Sequence, residues 1–321
     1  MRGTTFQNVL ASVPMMTEAQ LDELVLAVDG RRSRTKALRF LETAWGAPQC
    51  AHCASELVFK NGHSRGLQRY RGHVCRRTFN VTTGTPLAGL HSKERFLQQG
   101  DCLAQGLTVR DAAAEMDVSV STAFRLRHRF LQAAQCHQPT QVEGILEVDE
   151  TYFRESQKGS RKVTRLPRGR GGKATAKGAP RDLVPVLIGR VRGTRQVTDK
   201  VLTSMTTDQA VDALRSVVGP DTLLCIDGSG SLRTAAARLG VATKSIAVTY
   251  DGRILEGVYH VQTVNNYHER LKTWTNRKLR GVATKYLPNY LTWMRVWEWL
   301  GDGAKPEHFI VSGLGRQIIN R

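Results

Sequence analysis

The sequence predicts an α/β protein, a mixed sheet with flanking helices, preceded by a helical and cysteine-bearing basic region. Three observations carry this. Candidate strands at 145–153, 183–191 and 196–202 are followed by an amphipathic helix at 208–217 and a fourth apolar strand at 223–227. Alternating elements then continue, helical at 231–239, extended at 245–250 and helical at 264–279. Apolar strands interleaved with one-faced helices stack as layers rather than as a bundle or a sandwich. The chain, at 321 residues, exceeds the roughly 100 to 200 residues of one domain. It divides by composition into a helical region (1–48), a cysteine module (49–86), a second helical region (87–140), the α/β part (141–300) and a tail (301–321).

The N-terminal elements begin at Thr17-x-x-Gln20, a capping-box pattern ahead of the apolar stripe Leu21, Leu24, Val25 and Val28. Gly30 is expected to end that helix, and a second stripe through Leu38, Leu41 and Trp45 runs to Gly46 and Pro48. The cysteine module reads as a short hairpin with a turn at Asn61-Gly62. Cys50-x-x-Cys53 followed by Cys75 has the spacing of a zinc ribbon, but Gly72 stands where the second pair's first cysteine would fall. His73 is the nearest substitute for a Cys3His zinc set, with His52 and His63 less well placed. The alternative is a ribbon without Zn2+ packed around Phe59, Tyr70 and Phe79. Arg65, Arg69, Arg71, Arg76 and Arg77 surround the module in either case and suit phosphate contact. Cys102, Cys136 and Cys225 stand singly in apolar segments and read as core residues.

Residues 106–129 have the order of a helix-turn-helix. Thr108 can cap one helix, Ala112, Ala113 and Met116 can pack it, and Asp117 and Val118 form the turn. Ser119 or Ser121 caps a second helix bearing Arg125, Arg127 and Arg129, which can enter a major groove. An ordinary helical hairpin would share the pattern, but the charge favours DNA: a net +19 is self-repulsive, and a polyanionic partner is the simplest reason to tolerate it. The 154–181 stretch, rich in Arg, Lys and Gly, cannot bury a core and is expected to be a mobile loop. Its Lys162, Arg168, Arg170 and Lys173 would hold nucleic-acid backbone with a strong salt dependence. No apolar run approaches the roughly 20 residues that span a bilayer, and no signal-peptide order opens the chain, so no membrane partner and a cytoplasmic location are expected.

Two acidic residues close or follow apolar runs: Asp149 in Ile-Leu-Glu-Val-Asp-Glu-Thr-Tyr-Phe and Asp227 in Leu-Leu-Cys-Ile-Asp-Gly. A carboxylate on a buried strand is costly unless it is paired, hydrogen-bonded or bound to a cation. Adjacent strands bringing two together would make a site for Mg2+ or Mn2+, and two such ions serve phosphodiester chemistry without a protein nucleophile. Either aspartate alone would be read as a strand-end cap. Further along, Asn265, His268, Glu269 and Lys272 share one helix face by their three- and four-residue spacing, with Val264, Tyr267 and Leu271 facing inward.

These residues carry a resemblance. The segments Glu147-Val-Asp-Glu-Thr-Tyr-Phe, Ile226-Asp-Gly, the run from Val264 through Lys272, and Gly281-Val-Ala-Thr-Lys-Tyr-Leu-Pro-Asn-Tyr-Leu-Thr-Trp resemble bacterial insertion-sequence transposases. That family joins a zinc ribbon and helix-turn-helix to a ribonuclease-H-like nuclease of the DDE type. The similarity runs from about Trp45 to Trp293 and is nearest the branch in which asparagine replaces the third acid. It implies Asp149 and Asp227 as ligands of two metal ions, Asn265 as third ligand and Lys272 on phosphate near the scissile bond. Glu269, one turn beyond Asn265, is the alternative third ligand, because an uncharged amide binds Mg2+ more weakly than a carboxylate. The family further implies recognition of terminal inverted repeats, strand cleavage and joining to target DNA, a homo-oligomer on DNA, and nucleoid association. A regulator that has lost catalysis, or a structure-specific nuclease of the same fold, would share much of the pattern.

Overall fold

A computed structural model describes residues 3–93, 95–164, 183–246, 252 and 254–316. Helix α1 (Gly3–Ser12) leads through a turn at Val13–Met15 into α2 (Glu18–Trp45). Thr17 and Gln20 form the reciprocal capping box, each side chain accepting the other's backbone N–H. The break expected at Gly30 does not occur. One glycine costs a helix about 1 kcal/mol, too little to interrupt a run of 28 residues. Only the second half of α2 is anchored, through fully buried Ala37 and Leu41 and through Trp45, which meets Tyr70 and Phe79 edge-on at 5.3 and 5.8 Å.

Strands β1 (Val58–Ser64), β2 (Leu67–Gly72) and β3 (Thr78–Phe79) form the small antiparallel sheet of the cysteine module. Three helices follow, α3 (Arg95–Ala104), α4 (Val109–Glu115) and α5 (Val120–Gln132). Ala112, Ala113, Met116, Ala123, Leu126 and Cys102 make their own small core, the small side chains letting α4 and α5 approach closely. Thr108 caps α4 with Asp111 reciprocating, and Ser119 rather than Ser121 caps α5 by accepting from Thr122 N. Asp117 takes the left-handed turn between them at φ 47°.

The main sheet contains β4 (Val142–Arg154), β5 (Leu183–Val191), β6 (Val197–Val201), β7 (Val218–Ile226) and β8 (Ala242–Ser245), in the order β6-β5-β4-β7-β8. β4 pairs antiparallel with β5 and parallel with β7, while β5–β6 is antiparallel and β7–β8 parallel. Numbered within this sheet the order is 3-2-1-4-5 with only the second strand reversed, the ribonuclease-H-like arrangement the sequence led us to expect. Helices α6 (Thr207–Leu214) and α7 (Gly230–Leu239) cover one face over Leu146, Val148, Leu187, Leu224 and Ile226. Helices α8 (Gln262–Thr273) and α9 (Leu287–Leu300) cover the other; α8 ends in a π-type turn at Trp274–Lys278, so the helix expected to reach 279 changes form after Thr273.

The second face does not stop at the sheet. Its core runs continuously from Val186, Ile188 and Tyr267 through Trp293 to Phe96, Phe130 and Leu41. Trp293 Nε1 donates to Leu103 O at 2.9 Å, and Arg127 lies over the Trp293 ring at 4.8 Å. The expected tail at 301–321 contains α10 (Pro306–Gly313), which packs against α3 and α5 and buries Phe309 and Ile310 completely. Apolar burial at the end of the chain thus closes the helix-turn-helix rather than leaving a tail.

Candidate functional site

The register of the main sheet explains why Asp149 and Asp227 meet. Parallel pairing of β4 with β7 ends at Val148↔Ile226, and the next residue on each strand is the aspartate. Strands spaced about 4.8 Å apart therefore present the two carboxylates side by side where β7 stops, at Gly228 with φ 87°. Asp227 is exposed and accepts from Ser229 N at 3.2 Å, while Asp149 is half-buried and accepts from Glu150 N at 2.9 Å.

A third carboxylate joins them that the sequence reading did not single out. Oxygen atoms of Asp149, Glu150 and Asp227 all lie within 4.8 Å of one another. Strict strand alternation would put Glu150 on the face opposite Asp149. Beyond Val148, however, no strand among the described residues pairs with β4 on the β7 side. Burial, then Asp227 and Glu150, push the Asp149 carboxyl up to about 7, against the opposing pull of the Glu150 N–H and the Lys272 ammonium. Burial and then Asp227 raise Glu150 as well.

Helix α8 lies over this cluster. His268 Nδ1 is 3.6 Å from Asp149 Oδ2, and burial followed by Lys272 lowers the imidazole to about 4, so the contact is made by a neutral ring. Lys272, one turn on, is half-buried. Asn265 and Glu269 are exposed; Glu269 Oε1 accepts from Thr273 Oγ1 at 3.1 Å and is not among the converging carboxylates.

What holds α8 at this height is Glu147, fully buried two residues before Asp149. Its carboxylate accepts from Thr263 N at 2.8 Å, Val264 N at 3.1 Å and Thr263 Oγ1 at 2.9 Å, satisfying the first turn of the helix. Arg192 Nε at 2.9 Å and Nη2 at 2.8 Å neutralise it. One strand thus supplies both an acid of the cluster and the anchor of the helix above it. Lys158, from the start of the basic loop, donates to the carbonyls of Leu279, Arg280 and Gly281 at the far end of the same segment.

In the cysteine module, Cys50, Cys53 and Cys75 bring their sulfurs within 4.8 Å. The segments 50–54 and 72–76 fold alike: Ala54 N bonds Cys50 O, Arg76 N bonds Gly72 O, and Ala54 and Arg76 both take left-handed φ, 57° and 58°. The second knuckle therefore keeps its shape without its first cysteine. A Cβ built on Gly72 would sit 3.0 Å from Cys75 Sγ and 3.1 Å from Cys50 Sγ, so the glycine faces straight into the sulfur cluster. His73 stays exposed and outside the cluster, its backbone N–H spent on Leu57 O. Three convergent cysteine sulfurs could hold a metal ion such as Zn2+; His73 is not among the converging groups.

The basic residues divide. Arg76, Arg77, Arg125 and Lys162 are exposed. Arg69, Arg71 and Arg129 are half-buried and each spends one nitrogen on a backbone carbonyl, of Asn61, Arg76 and Ala88 respectively. Arg127, expected on the DNA-facing side, is buried at 1 % exposure, with Nη2 donating to Leu107 O at 2.7 Å; a side chain so enclosed cannot reach a phosphate. Arg168, Arg170 and Lys173 lie outside the described residues. Among the described residues no helix is long and apolar enough to cross a membrane.

Comparison with known proteins places these features. Residues 141–296 match the ISXO2-like transposase domain, and residues 97–137 match a homeodomain-like domain. The chain is 28 % identical over 245 residues to an uncharacterised protein in the transposable element ISH50 of Halobacterium salinarum, covering 75 % of this chain and 82 % of that protein. Among solved structures, a simian T-cell lymphotropic virus intasome in complex with PP2A regulatory subunit B56 gamma overlaps 62 % of this chain and 68 % of its own, at 10 % identity and TM-score 0.29. A Mos1 transposase paired-end complex with left transposon end overlaps 65 % and 79 %, at 12 % identity and TM-score 0.21. With overlaps this loose, the fold rests on strand order alone.

Proposed function

We propose that the chain, whose residues 141–296 match the ISXO2-like transposase domain, binds the terminal inverted repeats of its element, cleaves DNA strands there and joins their 3′ ends to target DNA. The observation that carries this reading is the in-register meeting of Asp149 and Asp227 at the end of the parallel pair β4–β7. Clustered carboxylates with one ammonium nearby are far from charge balance, which suits divalent cations with oxygen ligands. Mg2+ or Mn2+ bound there, as two ions, would activate an attacking oxygen and stabilise a leaving one.

The protein's own groups have separable parts in this. Asp149 and Asp227 would hold the cations, with Asn265 offering an amide oxygen from α8. Lys272 would meet a phosphate oxygen beside the centre and, together with the cations, keep Asp149 ionised. His268 stays neutral and packs against Asp149, fixing its rotamer without adding charge. The helix-turn-helix would present Ser121 and Arg125 to the major groove, and the exposed arginines of the cysteine module would follow the backbone. Because two element ends must be held together, the working form on DNA is a homo-oligomer.

The test is a Mg2+- or Mn2+-dependent strand-transfer assay on the element's terminal repeats, comparing the wild type with Asp149→Ala, Asp227→Ala, Asn265→Ala and Glu269→Ala. The first two should lose activity by three orders of magnitude or more, on the order of 4 kcal/mol in the barrier. Full activity of either would end the proposal, and DNA binding without any cleavage by the wild type would favour a regulator.

A further inference from the structure

We propose that Glu150 is a metal ligand of this centre and supplies the third carboxylate that the Asn265 position lacks. The inference deepens the reading above and rests on it. Glu150 oxygen lies within 4.8 Å of oxygens from both Asp149 and Asp227. Its Oε2 is buried and has no hydrogen-bond partner among the described residues. A buried carboxylate oxygen with nothing to accept from is destabilising, and a cation between the three acids would supply the missing partner.

The other candidates for a third acid do not compete. Asn265 is neutral and exposed, and Glu269 is exposed and turned to Thr273 Oγ1. Both belong to α8, a different element from the strands that carry the two aspartates. Glu150 instead adjoins Asp149 on β4 and is locked by the pairing Glu150↔Leu187 with β5. Two consecutive residues of one strand can flank Asp227 only because β7 ends at Ile226; had β7 run two residues further, its backbone would separate them. The early end of one strand thus converts an outward-facing glutamate into a third oxygen donor for a hard divalent ion.

The experiment titrates Mn2+ into the DNA-free full-length protein and follows free Mn2+ by electron paramagnetic resonance. Mn2+ is chosen because the thiolates of the cysteine module bind it poorly. Glu150→Gln preserves shape and removes only charge. It should weaken Mn2+ binding about tenfold or more and raise by a similar factor the Mn2+ needed for half-maximal strand cleavage, whereas Glu269→Gln, which alters a carboxylate outside the cluster, should change Mn2+ binding less than about threefold. Glu150→Asp, which keeps the charge but shortens its reach, should fall between Glu150→Gln and the wild type, with an unchanged circular dichroism spectrum in both variants. Wild-type Mn2+ affinity in Glu150→Gln, while Asp149→Asn and Asp227→Asn lose it, would overturn the assignment and leave the centre standing. Wild-type affinity in all three would overturn the centre itself.

Discussion

A guanidinium on α5 either contacts solvent and phosphate or forms part of the interior, and the two outcomes separate in solution. Arg125 is exposed, so Arg125→Ala should lower the slope of log affinity against log salt on DNA by about one while leaving stability unchanged. Arg127 is enclosed beneath Leu107 and Trp293. Arg127→Ala should leave that slope unaltered and lower unfolding stability by about 2 to 4 kcal/mol, measured by urea denaturation, because truncation opens a cavity in a closed site. Helical geometry already contained this distinction: at about 100° per residue, Arg125 and Arg127 stand about 200° apart and cannot share a groove. In the cysteine module, Cys50→Ser should remove bound zinc in elemental analysis, and His73→Ala should leave the zinc content as it was. The three cysteines were readable from spacing. The exposed position of His73 was not, since it depends on the local turn that follows Gly72.

At the scale of elements, strand β4 does most of the positioning, and its two acids fail differently when altered. Glu147→Ala should leave Arg192 bonded to the Val258 and His260 carbonyls but without its carboxylate partner, and the first turn of α8 unsatisfied, costing about 3 to 5 kcal/mol. It should also raise amide exchange over 262–273, which hydrogen-exchange mass spectrometry would resolve. Burial, then the neighbouring Asp227 and Glu150, push the Asp149 carboxyl up to about 7. Below that pH a cation must displace its proton, so Mn2+ affinity should rise about tenfold per pH unit toward 7 and level off above it. A calorimetric titration from pH 5.5 to 8.5 checks this. His268, neutral above about 4, adds nothing within that window. Elements and their order were legible because alternation and helical stripes are local. Glu150 was not, because its environment depends on the length of a partner strand 70 residues downstream, and Gly30 misled because a breaker acts only where packing does not overrule it.

For the molecule as a whole, boundaries drawn from composition at 48, 86 and 140 cut through one apolar interior that joins Leu41, Leu67, Phe130 and Ile188. Such contacts join residues far apart in sequence and leave no local trace. Thermal unfolding of the full chain should therefore follow one cooperative transition across near- and far-ultraviolet circular dichroism, and a fragment beginning at 141 should aggregate, with the Trp274, Trp293 and Trp297 cluster laid bare. Separate transitions for the two halves would contradict this. Under the proposed function, the seam at Trp293 has a further consequence. A reading head and a cutting centre joined through one apolar core would act as a ruler, setting in base pairs the gap between the sequence recognised and the bond broken. One inserted base pair would turn the target by about 34 to 36°, an angle that the shared core at Trp293 would have to absorb.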